Sequence, residues 1–236
     1  MKTNTLNDHF LGLVSKYAVP VPQRWKLAAQ IENDVSLWGF RNITDGFTPL
    51  FSWRCERRFV ELRRIVETKT LEDVVLCRFS NVTDGTSDLN RILYQEFDLL
   101  EWIVGSPIVS VSGSLNGSRF ANVLARLENG TIASVEAGTT LPKGTAALDR
   151  HELIARRGVA SDRVVDTHIP QQSVYLFAQD GVQSWTDTDA ELFGLENEQI
   201  NTVRAAFELA RNPDVIASNI SQHKHLLELV HTLTSP

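Results

Sequence analysis

The chain is poor in sulfur, in long apolar runs and in basic charge, and each shortage excludes something. Its 236 residues hold two cysteines, Cys55 and Cys77, and one methionine. The cysteines have no CxxC spacing and no obvious His partner in sequence, so neither a disulfide framework nor a redox pair is indicated. A reduced, cytoplasmic protein is expected. No stretch approaches the roughly 18 apolar residues of a membrane span. The opening segment, MKTNTLNDHFLGLVSKY, lacks the apolar core and cleavage site of an export signal. The Asn-x-Ser/Thr triplets at Asn42, Asn81, Asn116, Asn129 and Asn219 are then chance matches. The net charge is -6 and no Lys/Arg run stands out. A nucleic-acid partner is not expected from such a balance. The basic stretch RCERRFVELRR interleaves its charges with apolar residues at helical spacing, as an amphipathic surface does.

Catalytic and nucleotide fingerprints are also missing. There is no G-x-G-x-x-G after a strand, no P-loop and no G-x-S-x-G elbow. The nearest Gly-rich loop, GSLNGS at 113–118, lies between two strand-like segments and reads as a hairpin. It offers no helix N-terminus to hold a phosphate. His223 and His225 are two apart, so a helix turns them to different sides, and they read as surface residues. His151 and His168 stand isolated. No metal site is expected, because one needs three or four convergent ligands.

What is present suffices for a packed protein. Hydrophobic residues make up 42% and charged residues 22%, which allows a substantial core and argues against disorder. Leu6, Phe10, Leu13, Val14 and Tyr17 form one helical stripe. Pro20 and Pro22 interrupt it, and a second helix is expected from Gln23 to Trp38. LFSWRC reads as a strand and Phe59–Glu67 as a helix. From Asp73 the period changes to that of short strands: VVLCRFSN, PIVSVSGSL, RFANVLARLE, TIASVEAG, HELIARR, DRVVD, SVYLFAQ and VQSWTD. ENGT and AQDGVQ mark hairpins, the Asn-Gly pair suiting a type I′ turn. Helices over Glu196–Arg211 and Asp214–Leu233 close the chain, with Pro213 at the start of the second. The implied class is α+β: an open-faced, mostly antiparallel sheet flanked by helices, not the βαβ alternation of a parallel sheet. The expected division is a helical segment over 1–50 and a main domain over 51–236.

One helix stands apart. In LNRILYQEFDLLEWIVG, residues 89–105, Leu89, Ile92, Leu93, Phe97, Leu100, Ile103 and Val104 make an apolar face. Gly105 sits where a left-handed C-cap belongs. Arg91, Gln95, Asp98 and Trp102 share another face.

This passage, continuing into SPIVSVSG, resembles the Gfo/Idh/MocA family of NAD(P)-dependent oxidoreductases, many of which act on sugars or cyclitols. In that family a Gly-Gly pair leads into a helix of the form D-x-x-x-H-x-x-D, then an apolar run, a Gly and a strand. RRFVELRRIVETKTLEDVVLCRF, LARLENGTIASVEAG and HELIARRGVASDRV resemble further passages of the family's second domain. The resemblance covers roughly residues 50–236. It implies that domain alone, because the roughly 50 residues before it carry no fingerprint and are too few for a Rossmann fold. The family's catalytic lysine lies in an E-K-P segment, and no E-K-P occurs here.

Aligned with the family's helix, Asp98 takes the place of the last Asp and Gln95 that of the catalytic His. Arg91 takes that of the first Asp, with Thr86 and Ser87 at the Gly-Gly pair. A Gln amide cannot relay a proton as His does, and Arg stays protonated. The resemblance therefore implies a degenerate active-site helix of Arg91, Gln95, Asp98 and Trp102. No catalytic residue, no cofactor and no bound NAD are expected. Arg91 retains a fork suited to a carboxylate or phosphate. The expected protein is a pseudo-oxidoreductase, a homodimeric binding or regulatory protein joined through its sheet face, with a sugar or small acid as ligand. The alternation in SVYLF, with Val174 and Leu176 on one side and Tyr175 and Phe177 on the other, suits a strand covered on both faces, and Trp38, Trp53 and Trp185 are expected to contribute. The alternatives are a subunit of a composite oxidoreductase whose partner chain supplies the Rossmann domain and lysine, or an independent enzyme using carboxylates such as Asp98 or Glu101.

Overall fold

The structure is a computed structural model that describes residues 3–21, 25–42, 46–85, 87–162, 173–178, 181–186 and 195–234, with backbone alone for 3–5, 42, 173–178 and 181–186. The elements in chain order begin with α1 (Thr3–Lys16), β1 (Lys26–Glu32), β2 (Val35–Asn42), β3 (Gly46–Pro49) and a 3₁₀ turn at Ser52–Cys55. Then come α2 (Arg57–Glu67), β4 (Val74–Val82), α3 (Leu89–Val104), β5 (Ile108–Asn116), β6 (Phe120–Leu127) and β7 (Ile132–Gly138). The last are β8 (Leu148–Ala155), β9 (Gly158–Ser161), β10 (Ser173–Ala178), β11 (Gly181–Thr186), α4 (Asn197–Arg211), a 3₁₀ turn at Pro213–Val215 and α5 (Ile216–Thr234). The sequence expectation DRVVD falls largely, and His168 wholly, outside the described residues.

Two compact units emerge. The first comprises residues 1–56 and 188–227, the second 57–187 and 228–236. The division therefore differs from a single boundary at residue 50, because the first unit takes α4 from the far end of the chain.

In the first unit β1, β2 and β3 form an antiparallel sheet in that order. The helix expected over Gln23–Trp38 is a hairpin instead. Leu27 on β1 and Val35 and Leu37 on β2 are buried, while Ser36 between the last two is exposed. That is a period of two, which helical spacing had masked. The turn is Asn33-Asp34, with φ of 49° and 61°. Positive φ at both central residues is the type I′ geometry, which Asn and Asp tolerate. LFSWRC is likewise a 3₁₀ turn rather than a strand. Leu6 and Phe10 of α1, Leu27, Phe40, Leu50, and Val203, Ala206, Leu209 and Ala210 of α4 make the core of this unit. The Asn7 side chain both donates to the Leu27 carbonyl and accepts from the Leu27 N–H, pinning α1 to β1.

The second unit is an eight-stranded sheet in the order β11-β10-β9-β8-β4-β7-β6-β5. β4 and β7 run parallel, and the other described pairs run antiparallel. The α+β class with a mixed, mostly antiparallel sheet flanked by helices matches the expectation. One face is buried: Cys77 and Phe79, Ala121, Val123 and Ala125, Ala133, Val135 and Ala137, His151 and Leu153. α2 contributes Phe59, Leu62 and Ile65, and α3 most of its length. The opposite face of β4 to β8 is open and mixed in character. It carries Arg78, Asn122, Arg126, Glu136 and Arg150 beside the exposed Leu124 and Ile132.

The ENGT hairpin takes a different turn from the one expected. Gly130 has φ 90°, but Asn129 is not among the residues of positive φ. The Gly130 N–H donates to the Leu127 carbonyl and the Leu127 N–H to the Thr131 carbonyl. This is a three-residue loop, a type I turn closed by a left-handed glycine.

The two cysteines are free and shielded, and burial pushes the thiol of each up to about 12. Cys55 sits in the 3₁₀ turn rather than in a strand. Of the tryptophans expected to contribute, Trp53 is buried and Trp38 packs partly buried against the first unit's core. The side chains of Val174, Tyr175, Leu176, Phe177 and Trp185 lie outside the described residues. No helix among the described residues is long and apolar enough to cross a membrane.

Candidate functional site

α3 is bounded as its sequence dictates. Asp88 precedes it in extended conformation, and Gly105 ends it at φ 71°, a left-handed cap that glycine adopts without cost. The Gly105 N–H donates to the Glu101 carbonyl, and the Glu101 carboxylate accepts the Ile108 N–H at 2.5 Å, tying the helix end to the start of β5.

The four residues expected to share a polar face divide. Arg91 and Gln95 are half-buried and bonded to each other, Arg91 Nη1 donating to Gln95 Oε1 at 3.1 Å. Trp102 is half-buried beneath the guanidinium of Arg63 from α2, 4.6 Å from the ring centroid. Asp98 is fully buried and lies inside the unit rather than on an open face. Thr86 lies outside the described residues, and Ser87 is half-buried.

The densest chemistry on α3 is on its inner side. Glu96 is fully buried and reaches His151 of β8, with Oε2 2.9 Å from Nε2. Asn81 of β4 donates to the other Glu96 oxygen at 3.0 Å. The opposite ring nitrogen, Nδ1, is 2.7 Å from Asp162 Oδ2 just beyond β9, and the His151 N–H donates to Asp162 Oδ1 at 2.7 Å. Arg58 of α2 closes the cluster, donating to Asp162 at 3.0 Å and to Asp149 at 2.5 Å. The His151 ring lies edge-on to Phe59 and Phe79, each with its centroid 4.7 Å away.

With a carboxylate oxygen within hydrogen-bond distance of each ring nitrogen, His151 is placed to donate from both, as an imidazolium does. Burial alone would lower its pKa, but the charges of Asp162, Glu96 and Asp149 outweigh it and push the value up to about 10. For Asp162, burial pushes the carboxyl pKa up. The His151 charge and hydrogen bond, with Arg58, prevail and hold it below the usual carboxylate range. This corrects the reading of His151 as an isolated surface residue. His223 is also buried rather than on the surface, 3.3 Å from Glu32 in the first unit.

By residue type, Asp149, His151 and Asp162 could hold a metal ion, and their ligand atoms lie within 4.8 Å of one another. Their hydrogen bonds argue otherwise. A metal ligand must be a neutral imidazole with a free lone pair, and here each ring nitrogen already faces a carboxylate oxygen, at 2.7 and 2.9 Å. Arg58 already supplies the second positive charge to both aspartates. The cluster is a pair of cations caged by three carboxylates, sealed from solvent at His151, Glu96 and Asp162.

No family model matches the sequence, and no curated protein matches it. Solved structures do match in fold. Levoglucosan dehydrogenase, in complex with NADH and levoglucosan, aligns with TM-score 0.60 at 13% identity over 78% of this chain and 61% of its own. An oxidoreductase domain protein from Kribbella flavida gives 0.59 at 16% identity, covering 77% of this chain and 62% of that one. An inositol dehydrogenase homolog from Azotobacter vinelandii, complexed with NADH and myo-inositol, gives 0.54 at 12% identity over 77% and 59%. The chain thus spans about three fifths of the length of these structures. Its fold is that of an α+β domain found within oxidoreductases.

Proposed function

We propose that this chain is a non-catalytic relative of the Gfo/Idh/MocA sugar oxidoreductases, a pseudo-oxidoreductase acting as a homodimeric binding or regulatory protein. The observation that carries the reading is the state of the α3 face. By the family resemblance Gln95 stands where the catalytic His would be, and its amide is engaged by Arg91. Asp98 is enclosed and Trp102 is covered by Arg63. A proton relay needs a titratable group within reach of substrate; the Gln95 amide is not one, and Asp98 is enclosed in the unit. β1, β2 and β3 form an antiparallel sheet and not a βαβ unit. Arg91, held in place by Gln95, is suited to anchor a small acid or the hydroxyls of a sugar.

The deciding experiment is titration of the purified chain with NAD⁺, NADH, NADP⁺ and NADPH by calorimetry. No saturable binding up to millimolar nucleotide is expected. Micromolar binding would overturn the reading and return the chain to the enzymes. Co-purification with a nucleotide-binding oxidoreductase chain would favour the composite enzyme instead.

The dimer is read from the open sheet face, where Leu124 on β6 and Ile132 on β7 are 57% and 49% exposed. They are diagonal neighbours, since Leu124 lies opposite Ser134 and Ile132 opposite Arg126. Light scattering is expected to give a dimer mass for the native chain and a monomer mass for Leu124→Asp. A native monomer would rule the dimer out.

A further inference from the structure

The first unit holds a cavity of about 850 Å³ between α1 and α4, within the size range of small-molecule sites. Its chemistry is two-sided. Leu13, Ile200, Val203 and Phe207 supply apolar wall. Lys16, in the last turn of α1, and Arg204 and Arg211 supply positive charge. The two arginines are seven apart on α4 with Phe207 between them, so all three share one helix face. Asp8 is the acidic residue of the lining and His9 a further basic group. Arg211 also pairs with Glu208 at 3.2 Å, an exposed contact on its own helix that is weak in water. In a chain of net charge -6 the lining runs against the overall sign.

Gly12 makes room for the cavity. It sits in the middle of α1 and lines the space, and a Cβ placed there would meet nothing within 4 Å. A mid-helix glycine costs about 1 kcal/mol relative to alanine. Here its neighbours do not require it for packing, and it leaves the groove open. Aromatic rings line the mouth: Tyr17 and Phe207 lie 5.5 Å apart, with Lys16 over Tyr17 and Arg211 near Phe207.

We infer that this cavity binds an amphipathic organic monocarboxylate, its apolar body against Leu13, Ile200, Val203 and Phe207 and its carboxylate among Lys16, Arg204 and Arg211. The site is independent of the α3 face, so it stands or falls separately from the pseudo-oxidoreductase reading. Charge complementarity selects the acid over an alcohol or amine of the same length.

The test is calorimetric titration of the full chain with decanoate, 1-decanol and decylammonium. Decanoate is expected to bind saturably with one site per chain, at least about tenfold more tightly than either uncharged or cationic homologue, a difference of about 1.4 kcal/mol. Gly12→Phe fills the cavity and should abolish binding, while replacing glycine in a helix favours folding. The double variant Lys16→Gln/Arg211→Gln should weaken decanoate about tenfold and leave decanol unchanged. Equal binding of the three probes, unaltered binding by Gly12→Phe, or no binding below millimolar decanoate would each overturn the inference. So would a change in solution mass on Gly12→Phe, which would make the groove a contact between copies of this chain.

Discussion

Replacing His151 with Gln is expected to lower the stability of the folded chain by about 3–5 kcal/mol, measured by urea denaturation near neutral pH. The substitution leaves Glu96 and Asp162 buried without the cation between them. Removing one partner of a buried ionic group costs far more than a surface pair, because the remaining charge keeps its desolvation penalty without compensation. The double variant Glu96→Gln/His151→Gln should recover part of the loss, since it removes an anion together with the cation. A loss under about 1 kcal/mol for the single variant, the scale of a solvated pair, would show that the cluster is hydrated in solution.

The same cluster predicts an asymmetric pH dependence. His151 rises from its ordinary 6.5 to about 10 in the folded chain. A raised folded value stabilises fully below the unfolded pKa, so this contribution is complete below pH 6.5 and is lost as pH climbs through about 10. Over that window one extra proton is held by the folded state, and stability falls by about 1.4 kcal/mol per pH unit. Asp162 acts oppositely. Its folded pKa lies below 3.8, so its contribution is present above that pH and declines on further acidification. Denaturation midpoints measured from pH 6 to 10 should therefore fall steadily for the native chain. For His151→Gln they should stay nearly level up to about pH 8.5, above which the buried thiols of Cys55 and Cys77 destabilise both proteins alike, and the gap between the two curves should narrow towards pH 10. Parallel curves would mean that His151 is neutral in the folded state.

The strand pattern from Asp73 onward was legible because the sheet buries one face and every second residue records it. The first fifty residues misled for the same reason in reverse. Trp25, Ala28, Ala29, Ile31, Val35 and Trp38 satisfy a helical template, yet Asn33 and Asp34 between them carry the turn. The pair was a signal, since Asn and Asp are among the few residues that accept positive φ. Asn-Gly at 129–130 was recognised as a hairpin but not as a longer loop, because the turn type is set by how the flanking strands meet. On α3, Arg91, Gln95 and Trp102 could be placed on a helix surface from spacing. Asp98 could not be placed in the interior, since burial of a charge depends on groups brought by other elements. His151 had a readable sign: in LDRHELIA it shares a face with Leu153, the buried face of the strand. Arg58 and Asp162 had none. They meet only because the sheet order sets β9 beside β8 and β8 beside β4, under α2.

The central place of β4 has a consequence for how the chain is made. A strand at the middle of the sheet is also the first of that sheet to be synthesised. Its neighbours are β7, whose Ile132 pairs with Leu76, and β8, whose Ile154 pairs with the same residue from the other side. Both lie more than fifty residues downstream, whereas β5, β6 and β7 pair in sequence and can assemble as a local meander. On the ribosome β4 therefore emerges with Phe79 and Cys77 uncovered and with two unsatisfied edges. It must wait for α3 and the meander before one edge closes, and for β8 before the other. A nascent chain halted ahead of β7 would expose an apolar strand with no partner, the kind of segment that chaperones shield and aggregates recruit.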